Sequence, residues 1–290
     1  MWIMRHNQGT IGLLCWAVLA LIARSVLADR MACNPRCYQI GRATVTTASS
    51  AREPAQRAII LWNGTEEGLF LATDLAYSEP ALMVEMVALP TEPTMRAGEL
   101  STFTKLAALA TLHNPALTLP VATAPVGTMS NIQVRKTDTL TDYSVASELL
   151  PPRLSPSSID PICMSIVSGL KGRGFDWVVL DQVNLTSTVQ SFPPVEYWFK
   201  SSQVFYPIEL SKQNTGDTKI DLVVIAPKRL TTFSATSYPL EHLGSFELDP
   251  KELSTLSPDW PTFMGSQPVV VEHLRMVGDI RKMTQDLWAH

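Results

Sequence analysis

Charge is the scarcest property of this sequence. Only 17% of its 290 residues are charged, against about a quarter in an ordinary globular chain. The 23 Lys and Arg are outnumbered by 27 Asp and Glu. Nucleic-acid binding draws on a basic excess that releases phosphate counterions, and this chain has none to spend. Histidine is also sparse, at five residues, and cysteine numbers four. The local signatures of common chemistries are missing: a Gly-x-Ser-x-Gly elbow, a His-Glu-x-x-His helix, a phosphate loop and a Gly-x-Gly-x-x-Gly turn. Gly172-Arg173-Gly174 follows a predicted helix and reads as its stop. Thr102-Phe103-Thr104-Lys105 lies inside an ordinary amphipathic helix, and Ser165 and Ser168 lie in a helix whose face packing already explains. What remains is 46% hydrophobic, which excludes a disordered or collagen-like chain.

The N-terminal segment has the layout of a routing signal. Arg5 supplies a positive start, Ile11 to Ala23 an apolar run of thirteen residues, and Val26 and Ala28 the small or β-branched residues before a cleavage point. Cleavage after Ala28 is the expectation. The alternative is a retained anchor, for which the run is short, since a spanning helix needs about 20 apolar residues. Cleavage leaves residues 29–290, 262 in number. It removes Arg5 and Arg24 and no acid, so the net charge moves from −4 to −6.

Cys33 and Cys37 bracket Asn34-Pro35-Arg36, a turn-forming tripeptide. In an oxidising compartment a short-loop disulfide is the plain reading. Free or differently paired thiols and a metal or redox role stay open, although no further ligands lie nearby at metal-binding spacing. Cys163 shares a helical face with Ile159, Ile166, Val167 and Leu170 and reads as a buried thiol.

Hydrophobic patterning predicts strands in pairs with three or four helices. Arg57–Trp62 and Leu69–Tyr77 flank Asn63-Gly64, a hairpin signal, with Glu66 and Glu67 in a solvated loop. Ala81–Leu89 is a third strand, ended by Pro90 and Pro93. A helix follows from Glu99 to His113, stopped by Asn114-Pro115, and a Pro- and Thr-rich connection runs from Pro115 to Met129. Short alternating segments lie at Ile132–Val134 and Tyr143–Val145. Pro151–Ser158 is either a linker between two lobes or a long loop.

A helix is expected from Asp160-Pro161 to Lys171, and a buried strand from Phe175 to Leu180. A second hairpin pairs Val204–Leu210 with Lys219–Ala226, where Ile220, Leu222 and Val224 face one way and Asp221 the other. Asp249-Pro250-Lys251-Glu252 opens a short helix with a capping-box acid. Val269–Leu274 reads as strand and Asp279–Trp288 as a closing amphipathic helix. Strands broken by helices without regular alternation predict an α+β fold, with antiparallel hairpins and sheet carrying three to four packed helices.

No catalytic, cofactor-binding or metal-binding residue is identified. His113, His242 and His273 form a site only if the fold brings them together. Tyr197, Trp198, Phe205 and Tyr206 beside Pro193-Pro194 form either an interface platform, if exposed, or an aromatic core. Asn63 and Asn184 head glycosylation sequons that matter only in a eukaryotic secretory pathway.

Four stretches carry a family resemblance. They are the leader followed closely by Cys33 and Cys37; Arg57-Ala58-Ile59-Ile60 with the Asn-Gly hairpin and Leu89-Pro90-Thr91-Glu92-Pro93; Phe205-Tyr206-Pro207-Ile208 with Gly216 to Leu222; and the closing Arg281 to Leu287. The chain resembles an uncharacterised family of exported bacterial proteins, a domain of unknown function. Where that family carries a Trp and an extra Pro before the Pro-x-x-Pro stretch, this chain has Glu85 and Ala88. The resemblance implies a periplasmic or surface location and brings no established activity.

The functional expectation is a non-catalytic binding or accessory module with a protein partner, no cofactor and no nucleic acid, outside the cytoplasmic membrane. Membrane contact is expected only if residues 11–28 are retained. The alternatives are an anchored subunit of an electron-transport or photosynthetic complex, and a hydrolase with a noncontiguous site.

Overall fold

The computed structural model describes residues 31–33, 51–78, 80–136, 170, 174–234 and 237–290. The leader, Cys37, Cys163, the Tyr143–Val145 segment, Pro151–Ser158 and the helix predicted from Asp160 lie outside the described residues, Leu170 excepted.

An eight-stranded sheet forms the frame. Its order is β12 (Glu241–Leu248), β13 (Val269–Asp279), β11 (Asp217–Ala226), β2 (Arg52–Trp62), β3 (Glu66–Ala76), β9 (Val195–Lys200) and β5 (Thr94–Ala97), with β8 (Gln190–Ser191) also on β3. Neighbours are antiparallel except β11 and β2, which run parallel. A four-stranded sheet has the order β1 (Met31–Cys33), β4 (Ala81–Leu89), β7 (Trp177–Leu185) and β6 (Met129–Lys136). A two-stranded sheet joins β10 (Val204–Tyr206) to β14 (Leu287–Ala289).

The two faces of the large sheet bury different things. Ala58, Ile60, Leu69, Leu71, Tyr197, Ile220, Leu222 and Val224 share one core with residues of both smaller sheets, including Val87, Val179, Phe205 and Leu287. The opposite face carries Ile59, Leu61, Phe70, Val223, Ile225 and Val271 against three helices: α1 (Leu100–His113), α2 (Pro250–Leu256) and α3 (Trp260–Met264). Strands buried on both sides must be apolar at successive positions, which explains the unbroken runs Ala58–Leu61 and Leu222–Ala226.

Local sequence accounts for the elements. Asn63 turns the β2–β3 hairpin by accepting bonds at its Oδ1 from the backbone N–H groups of Thr65 (3.0 Å) and Glu66 (2.9 Å), and Gly64 takes the positive φ of 101° the turn requires. Helix α1 buries Phe103, Leu106 and Ala110 one turn apart. Helix α2 begins with a capping box, in which Glu252 N–H donates to Asp249 Oδ1 (2.8 Å) and Asp249 N–H donates to Glu252 Oε2 (3.1 Å).

Three expectations are corrected. The fold is mostly β, with fourteen strands and three α-helices among the described residues, not an α+β sheet with three to four packed helices. The Asp279–Trp288 segment is no helix. Ile280–Lys282 makes one 3-10 turn and Leu287–Ala289 is strand, so the spacing of Ile280, Met283 and Leu287 serves burial without helical continuity. Finally, Val204–Tyr206 does not pair with Lys219–Ala226. Asp286 Oδ1 accepts the N–H groups of Ile208 (2.9 Å) and Glu209 (3.1 Å) where a 3-10 turn over Glu209–Gln213 begins. That turn leads the chain away, β10 meets β14, and β11 takes β2 and β13 as neighbours.

Candidate functional site: a charged row beneath a cleft

On the helix side of the large sheet, apolar packing stops short of one end of the strands and a row of charges takes over. The register makes the row. Asp221 of β11 lies opposite Arg275 of β13 and opposite Arg57 of β2. Asp221 is two residues from Val223 and Arg57 two from Ile59, both packed against the helices, so strand alternation fixes the side.

Asp221 is buried, takes two hydrogen bonds and has a further cation beside it. His273, itself fully buried, meets Asp221 Oδ1 through Nε2 at 2.8 Å, and Arg275 Nε donates to the same oxygen at 2.8 Å. Lys219 Nζ stands 3.4 Å from Oδ2. Burial by itself pushes the Asp221 carboxyl up. The bonds from His273 and Arg275 and the charges of Lys219 and Arg275 outweigh it and hold the group below the ordinary carboxylate range. The next pair along the row is Arg57 with Asp74. Arg57 donates two bonds to that carboxylate, one of 2.9 Å from Nη1, and Ser191 Oγ donates to Asp74 Oδ1 at 2.6 Å.

The segment after α1 roofs the row. Leu117 and Leu119 are buried in the helix-side core. Farther on, Gly127 N–H donates to Ser191 O and Ser191 N–H to Pro125 O, both at 2.8 Å. Gly244, at φ +156°, makes room: a Cβ there would lie 3.3 Å from Leu117 Cδ1. Between roof and row lies a cleft of about 380 Å³, lined by Ala116 to Pro120, Leu243, Lys219 and Arg275.

The histidines do not converge. His113 pairs with Glu252 (2.7 Å), His242 with Glu272 (3.1 Å) and His273 with Asp221. Among the described residues, three or more potential metal ligands nowhere gather into a group. Nor do the aromatics form one exposed platform. Tyr197, Phe205 and Tyr206 are fully buried in the core between the sheets. Trp198, on the other side of its strand, packs edge-on against Phe70 and Phe263.

Glu67 is not in a solvated loop. It lies within β3, fully buried, with Oε2 accepting the Phe205 N–H at 2.7 Å and Oε1 unbonded among the described residues. Burial pushes its carboxyl well up, against the smaller opposite pull of that bond.

Asp221 was visible in the sequence as the polar side of an amphipathic strand. Lys219 carried the same signal two residues earlier, but Arg275 and His273 did not, because only the β11–β13 register brings them to Asp221. Cys33 is the last residue of β1, whose partner strand is β4, and its predicted bond to Cys37 falls outside the described residues. Among those residues no helix is long and apolar enough to cross a membrane. No protein-family model, curated protein or solved structure matches the chain.

Proposed function

We propose that the protein is a non-catalytic binding or accessory module working on the outer side of the cytoplasmic membrane. The observation that supports this is the construction of the cleft. Its lining cations are held by a buried carboxylate that stays ionised, and that carboxylate is itself fixed by a buried histidine. Fixed charges of this kind recognise a partner, whereas a proton-moving site needs a group poised near the working pH. The leader-like residues 1–28 support the location.

Affinity purification of the tagged full chain from its native envelope tests the reading. A partner or ligand recovered in fixed ratio is the expected result. Recovery of the chain from the cytosol, or turnover of a substrate, overturns it. Mass spectrometry of the N-terminus then separates two forms of the module. An intact Ile11–Ala28 segment in the membrane fraction makes it a subunit anchored on a membrane complex, and a chain starting at Asp29 in the soluble fraction removes the anchor.

A further inference from the structure

We propose that the cleft between residues 116–120 and the Lys219/Arg275 edge binds an anionic group, a carboxylate or phosphate carried by a small ligand. The proposal rests on the binding-module reading and names what the module holds.

Positive charge exceeds negative at this place: Lys219 and Arg275 face the single carboxylate of Asp221, whose Oδ1 takes both hydrogen bonds, from His273 and Arg275, while Oδ2 has only the Lys219 ammonium at 3.4 Å. Arg275 spends only Nε on it, at 2.8 Å, and its two terminal nitrogens bond to nothing among the described residues. Lys219 Nζ, 3.4 Å from Asp221 Oδ2, lies beyond a good hydrogen bond, and its side chain is 48% exposed. The neighbouring charges do not cancel the pair. Arg57 and Asp74 neutralise each other, and the exposed Glu241, opposite Arg275 across the β12–β13 ladder, makes no ion pair with it.

The arrangement is preorganised. Asp221 is buried and tied to His273, so the Arg275 guanidinium is anchored through Nε while its fork stays open, the geometry that grips a planar carboxylate or a phosphate. On the roof side the cleft is lined by Thr118, Leu117 and Leu119. A volume of about 380 Å³ falls within the range of small-molecule sites. On a chain of net charge −4, two incompletely engaged cations sharing one concavity oppose the overall field, as a selective anion site requires.

The test is calorimetric titration of the full chain, purified from the cell envelope, with inorganic phosphate, with citrate and with glycerol as the neutral control. One or both anions bind and glycerol does not, and the affinity falls with added salt. Phosphate alone marks a phosphate-bearing ligand and citrate alone a carboxylate-bearing one. Lys219→Met combined with Arg275→Met weakens binding by about ten-fold or more. Thr118→Trp, which fills the cleft without removing a charge, does the same.

Thermal unfolding of each variant identifies any that fail to fold. If the double variant does not, Lys219→Met alone and Thr118→Trp decide. Unchanged affinity in both, or no anion binding by the wild-type chain, overturns the proposal. If the chain binds neither anion yet retains a partner that Lys219→Met and Thr118→Trp also retain, the cleft assignment falls and the module reading stands. If it binds nothing at all, both fall.

Discussion

Asp221 and Glu67 are two buried carboxyl groups on opposite sides of one sheet, and their surroundings shift them in opposite directions, Asp221 down and Glu67 up. Asp221 sits on the helix side, near the open cleft, where Lys219 and Arg275 reach it while keeping contact with water. Glu67 sits between the sheets, where its cross-strand neighbours are Trp62 and Phe199 and its one bond comes from a backbone N–H. Burial acts on both. Only at Asp221 do cationic partners overcome it; at Glu67 the single opposing pull is a backbone N–H, which does not. Of the two, the carboxyl that holds its charge is therefore the one beside the cleft.

The most severe way to break this contrast is Arg57→Met. It strands Asp74, a carboxylate with almost no solvent access, and lowers stability by about 3–5 kcal/mol in urea unfolding. Arg57→Met with Asp74→Leu recovers most of that loss, since a buried pair can be replaced by apolar side chains at little cost. A double variant as unstable as the single would show that the pair also organises the fold around it.

Asp221→Asn has the next largest effect, about 2–3 kcal/mol, smaller because Lys219 and Arg275 can turn towards water. Its pH dependence is the sharper test. The folded-state pKa of Asp221 lies below the ordinary value of 3.8, so its stabilisation is present above that value and is lost as pH falls through the folded pKa. Acid unfolding of Asp221→Asn is correspondingly flatter than that of the wild type.

Glu67→Gln reverses the sign. The folded pKa of Glu67 lies well above 4.5, so its contribution is full below pH 4.5 and is lost as pH rises through the folded value. At alkaline pH the amide, which cannot ionise, is more stable than wild type in urea unfolding, and the advantage disappears towards pH 4. An advantage that persists unchanged at pH 4 would assign the gain to packing and not to charge.

Asp249→Ala supplies the baseline. Like Glu67, Asp249 accepts a backbone N–H, but at an exposed helix start, so burial plays no part. Its loss costs about 1 kcal/mol in thermal or urea unfolding, with none of the alkaline dependence of Glu67.

Much of the local structure was legible in the residues. Asn63-Gly64 announced its hairpin, Ala81–Leu89 its strand, Leu100–His113 its helix and Asp249–Glu252 its cap, because each is specified by a side chain acting within a few residues of itself. The misreadings share one cause. Glu67 looked like a loop acid because it adjoins Glu66, and one residue of strand alternation turns the second inward. Asp279–Trp288 looked helical because the partner of its last strand, Val204–Tyr206, lies some eighty positions earlier in the chain. Of the candidate site, Asp221 and Lys219 could be read as the polar side of one strand. Arg275, His273 and the roof at Leu117–Leu119 could not.

The sequence by itself therefore determined the Asn63-Gly64 hairpin, the strands at Ala81–Leu89 and Lys219–Ala226, the helix ending at His113, the cap at Asp249 and which side of β11 is polar. Tertiary structure decided which charges meet. Pairing Lys219–Asp221 with His273 and Arg275 depends on strand register, and register depends on the burial of entire faces, a property of the assembled sheet and of no single segment.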